Sequence, residues 1–73
     1  MSLLPAARVD LDASLSDADR AETLDKIKAV KGVISSAFNE KANAVAVTYS
    51  GGDVRRDIEK IPGVKAFTPW RGY

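Results

Sequence analysis

The sequence predicts a single α+β domain, and three observations carry that expectation. Apolar residues alternate with polar ones at Ala7, Val9 and Leu11 and again at Val45, Val47 and Tyr49, the period of a strand with one buried face. Apolar residues recur at helical spacing at Ala21, Leu24, Ile27 and Val30, and later at Val54, Ile58 and Ile61. The 73 residues suffice for one small core and no second domain.

Taken in order, Ala7, Val9 and Leu11 alternate with Arg8, Asp10 and Asp12 and form the first strand. Ser16, followed three residues later by Asp19, makes a capping-box-like helix start, with acids placed in the positive first turn. The helix that follows turns Ala21, Leu24, Ile27 and Val30 inward, leaves Arg20, Glu22, Asp25, Lys26 and Lys28 in water, and stops at Gly32. Val33 to Phe38 is a β-leaning run, 39–43 a polar turn, and Val45, Val47 and Tyr49 complete a hairpin.

Ser50-Gly51-Gly52 breaks the chain, and Asp53 is the expected N-cap of a short second helix that ends at Pro62-Gly63. Val64 to Thr68 supplies the last strand. The order is βαββαβ, which right-handed crossovers close into a four-stranded antiparallel sheet with both helices on one face, the ferredoxin-like arrangement. Its core spans about residues 7–68, with a C-terminal tail at 69–73.

Composition narrows the chemistry. Hydrophobic residues make up 45% and charged residues 29%, the balance of a folding globular chain. The absence of Cys and His removes disulfides, thiolate nucleophiles, the commonest metal ligand and the usual general base near neutral pH. Eleven basic against ten acidic residues leave a net charge of +1, too little to draw the chain to nucleic acid or anionic lipid. Apolar runs such as Ala44 to Val47 fall far short of the roughly 20 residues that cross a bilayer. The N-terminal stretch lacks a signal peptide's basic start and long apolar core, so a cytoplasmic location is expected.

The stretch from Arg8 to Val64 resembles the heavy-metal-associated domain of copper chaperones and metal-pumping ATPases. The likeness rests on a helix ending in Val30-Lys31-Gly32-Val33, a Val-rich third strand over Asn43 to Tyr49, and the run Ile58-Glu59-Lys60-Ile61-Pro62-Gly63-Val64. The family's Met-x-Cys-x-x-Cys motif falls on Ser14, Ser16 and Asp19 here, so the thiolates that hold Cu(I) are missing. What the resemblance implies is therefore the scaffold, without copper transfer and without a cofactor.

Asp10, Asp12, Ser16, Asp17 and Asp19 gather oxygen ligands suited to a hard cation, and Asp12, Ser16 and Asp19 are the alternative metal set. The plainer expectation is that Ser16 caps the helix while Asp17 and Asp19 complement its dipole. No catalytic residue is expected, since Asp10 and Asp12 share an exposed strand face and Ser50-Gly51-Gly52-Asp53 lacks the Lys of a phosphate loop. The central strands carry Arg8, Asp10, Ala46 and Thr48 on their open face, which offers no aromatic pair for stacking RNA bases.

Three of the five aromatic residues, Phe67, Trp70 and Tyr73, crowd the last seven positions, with Pro69 and Arg71 between them. Trp, Tyr and Arg anchor interfaces, so Phe67, Trp70, Arg71 and Tyr73 form the expected partner-binding set. In the alternative arrangement Trp70 folds back over the open sheet face and covers Phe67, Ala37 and Ala46. The resulting expectation is a non-catalytic module that docks on a protein partner or a second copy through its sheet face and tail. A second expectation is an inhibitor or intramolecular chaperone resembling subtilisin propeptides, which share this strand order and extend a C-terminal segment into the protease.

Overall fold

A computed structural model describes residues 5–50 and 53–70, except for the side chain of Trp70. Its elements are β1 (Ala6–Leu11), α1 (Asp17–Ala29), β2 (Val33–Asn39), β3 (Ala44–Tyr49), α2 (Val54–Glu59) and β4 (Val64–Trp70). All strand pairs are antiparallel, and the sheet order is β2-β3-β1-β4. This is the ferredoxin-like α+β fold that the alternating and helical periods predict.

The buried face of the sheet collects Ala7, Val9 and Leu11 from β1, Val45 and Val47 from β3, and Phe67 from β4. Ile27 of α1 and Val54 and Ile58 of α2 close over them, and Val9, Ile27 and Ile58 are fully buried. Each such aliphatic side chain contributes about 1.5–3 kcal/mol on leaving water. Total stability at this length is only about 4 to 11 kcal/mol, so a few of these residues decide whether the chain folds.

Local chemistry sets the boundaries. Ser16 caps α1, its hydroxyl accepting from the Asp19 N–H at 3.1 Å, and the helix ends when Val30 turns extended before Gly32 at φ 101°. The β2–β3 turn is fastened by Asn39, whose Oδ1 accepts from the amides of Lys41 and Ala42. Asn43 takes the left-handed φ of 50° that suits Asn and donates its side-chain amide to the Leu11 carbonyl at 3.0 Å.

Three expectations need correction. Ala21 is exposed while Thr23 is buried, so the inward stripe of α1 is Thr23 and Ile27 with Leu24 and Val30 beside them. Thr23 enters the interior because its hydroxyl is satisfied twice, donating to Asp19 O at 3.0 Å and lying 3.1 Å from Pro62 O. Asp53 stands at the N-cap of α2, as expected, but makes no side-chain cap bond. The last strand runs on through Pro69 and Trp70 rather than ending at Thr68, so the expected tail is in part sheet. Finally, Phe67 pairs with Val9 and lies on the helix side of the sheet at 6% exposure, 6.1 Å from Tyr49 by ring centroids. It is a core residue and cannot anchor a partner on the open face, because alternation along β4 turns it the other way.

Candidate interaction surface

The face of the sheet turned away from the helices is built row by row from the strand register. Ser35, Thr48 and Ala6 share one row with the last residue of β4, Trp70, opposite Ala6. Ala37, Ala46, Arg8 and Thr68 make the second row, and Asn39, Ala44, Asp10 and Ala66 the third. Small side chains predominate on the β2 and β3 part of this face, at Ser35, Ala37, Ala44, Ala46 and Thr48.

Two polar contacts lie on this face. Arg8 Nε donates to Asp10 Oδ1 at 2.8 Å on β1, an exposed pair of small energetic worth that neutralises both charges locally. Ser35 and Thr48 bond through their hydroxyls across β2 and β3. Between these lies a shallow depression of about 240 Å³, bounded by Ala6, Ser35, Ala37, Ala46 and Thr48 among others. No described helix or loop covers it.

The loop expected as an alternative cation site is organised differently. Asp12 Oδ1 accepts from the backbone N–H of Ser14 at 2.9 Å and from its hydroxyl at 2.8 Å. These bonds, the backbone one first, hold the Asp12 carboxyl below its ordinary range, and the Lys65 charge acts in the same direction. Ser16 spends its oxygen on the Asp19 amide, and Asp17 pairs with Arg20 at 2.6 Å. Among the described residues no three carboxylates converge on a point where an ion could sit. Asp12 thus fastens a turn and Ser16 caps α1, with Asp19 in the first turn of the helix.

Of the expected partner-binding set, Phe67 is buried and Trp70 ends β4, while Arg71 and Tyr73 lie outside the described residues. No described helix is long and apolar enough to cross a membrane. Sequence reasoning missed Ile34, the one large apolar side chain strongly exposed among the described residues, at 55%. Its signal was present: the order Val33-Ile34-Ser35-Ser36 breaks strict alternation, and the register slips between Val33 and Ser35 to leave Ile34 as the extra residue of a bulge. The chain matches no family model, no curated protein and no solved structure.

Proposed function

We propose that this chain is a non-catalytic protein-interaction module that docks through the open face of its sheet. The observation that supports the reading is the shallow depression bounded by Ala6, Ser35, Ala37, Ala46 and Thr48, which no described helix or loop covers. A partner that inserts one apolar side chain there and lays polar groups over Arg8 and Asp10 would meet an apolar centre with a polar border, the anatomy of a stable interface. The heavy-metal-associated resemblance fits as a scaffold whose metal loop has become a capped helix start at Ser14, Ser16 and Asp19. Chemistry has little to work with here, since the chain lacks Cys and His.

The test compares three forms as affinity baits in an extract of the source cells: wild type, Ala46→Arg and Lys60→Glu. Ala46 is exposed on the open face and Lys60 is exposed at the end of α2. The reading predicts a protein retained by wild type and Lys60→Glu and lost by at least about tenfold with Ala46→Arg. Equal retention by all three forms would overturn it.

A further inference from the structure

The sheet has two edges, β2 and β4, and they are built differently. The Tyr49 N–H bonds to Pro5 O on the β1 side and the Ser50 N–H to Gly32 O on the β2 side. Alternation along β3 then directs the backbone groups of Thr48, Ala46 and Ala44 toward β2, where they meet Ser35, Ala37 and Asn39. The intervening residues, Ser36 and Phe38, therefore turn their N–H and C=O groups outward, to an edge where no described strand pairs with them.

The same count on β4 places Lys65, Phe67 and Pro69 at the outward positions, because Thr68 and Ala66 pair with Arg8 and Asp10. Pro69 has no N–H to offer, and Lys65 puts a charge beside the edge. Those are two of the devices that keep an edge strand from recruiting another. The seven residues of β2, Val33-Ile34-Ser35-Ser36-Ala37-Phe38-Asn39, contain no charge and no Pro. The bulge adds an exposed Ile34, in a shallow groove with Lys28 of α1.

We infer that a second copy of this chain pairs with β2, antiparallel and about a two-fold axis at Ser36, to make a continuous eight-stranded sheet. Two features select a second copy over another strand. The first is register: centring on Ser36 places Ile34 opposite Phe38 of the other copy, twice, an aliphatic–aromatic cross-strand pair on the helix side. No like charges meet within the strands.

The second feature is the charge order of α1, which lies over β2. Arg20 stands over the Phe38 ring at 5.6 Å, and Lys28 lines the groove with Ile34. Eight helical residues rise about 12 Å and four strand residues about 13 Å, so helix and strand keep step in opposite directions. The two-fold therefore brings Asp17 at the start of one α1 beside Lys28 at the end of the other, whereas Asp19 and Lys26 face Pro62 and Gly63 on the far side of the helix. Asp17 is 94% exposed and already balances Arg20, so Lys28 meets an ion pair with an exposed carboxylate rather than a bare cation.

This pairing uses the edge and the helix side, so it stands apart from docking on the open face. A single strand pair with a flanking helix contact is at the small end of specific interfaces, and a dissociation constant on the order of 0.1 mM is expected.

Sedimentation equilibrium on the full chain from about 10 µM to about 1 mM tests it, beside Ile34→Lys, Lys28→Glu and the swap Asp17→Lys with Lys28→Glu. The exposed positions of all three keep the fold intact, which amide spectra verify. The inference predicts a monomer–dimer equilibrium that Ile34→Lys weakens at least about tenfold and Lys28→Glu at least about threefold, with the charge swap restoring most of the second loss. It also predicts that the Ser36 and Phe38 amides gain exchange protection as concentration rises. A wild type that stays monomeric through about 1 mM overturns the inference. So does a dimer indifferent to Ile34→Lys, and either result would leave open-face docking standing.

Discussion

Substituting Gly63 tests how the structure joins α1 to the turn before β4. Gly63 sits at φ 97°, and a Cβ built there would lie 2.7 Å from the Thr23 hydroxyl oxygen and 3.0 Å from Leu15 Cδ1. Gly63→Ala thus carries two costs. The left-handed backbone disfavours any L-residue by about 1–2 kcal/mol. The Thr23 hydroxyl must also move, which disturbs its contacts with Asp19 O and Pro62 O and costs about 0.5–1.5 kcal/mol. The Gly63 carbonyl also accepts from the Asp12 N–H at 2.8 Å, so the turn is tied to the end of β1 and has little room to shift. The sum is about 1.5–3.5 kcal/mol against a total of about 4–11, or a fall in Tm of roughly 6–28 °C. Thermal and urea unfolding of Gly63→Ala, Thr23→Ala and the double variant would measure it. Removing the hydroxyl should recover part of the Gly63→Ala loss, with a coupling of about 0.5–1.5 kcal/mol. A Gly63→Ala protein within about 0.5 kcal/mol of wild type, or strictly additive variants, would refute the reasoning.

Three further outcomes follow from named contacts. Phe67→Ala should cost about 3–5 kcal/mol in urea unfolding, because the ring is buried between sheet and helices, whereas loss of an exposed aromatic would stay within about 0.5 kcal/mol. Ser16→Ala should cost about 1 kcal/mol by leaving the Asp19 N–H uncapped, which the same assay reads. Asp12 has its carboxyl held below the ordinary value of 3.8, so its contribution is present above that pH and is lost as pH falls through the folded-state value. Ser14→Ala removes the hydroxyl bond and keeps the backbone one; carbon-detected titration of Asp12 should therefore move part of the way back toward 3.8.

The fold was legible because burial leaves a simple imprint on a small sheet. Ala7-Val9-Leu11 and Val45-Val47-Tyr49 alternate, and the sheet puts them where alternation requires. Thr23 escaped notice since a hydroxyl counts as polar until its acceptors are known, and both of its acceptors, Asp19 O and Pro62 O, depend on chain folding. Phe67 was misplaced because its partner was not fixed by sequence: only the register with Val9 shows which side of β4 it occupies. Ile34 needed the bulge, a feature of pairing between two strands rather than of either alone. The open face was partly legible, as Arg8, Asp10, Ala46 and Thr48 follow from alternation, but its depression arises only when four strands lie side by side.

The most direct test of the docking account is an amide-shift map of the isotope-labelled chain, recorded with the purified protein that the bait comparison retains. Docking on the open face predicts shifts concentrated at Ala6, Arg8, Ala37, Ala46 and Thr48, with the α1 and α2 amides still. Shifts centred on the helices, with those five amides unmoved, would contradict it.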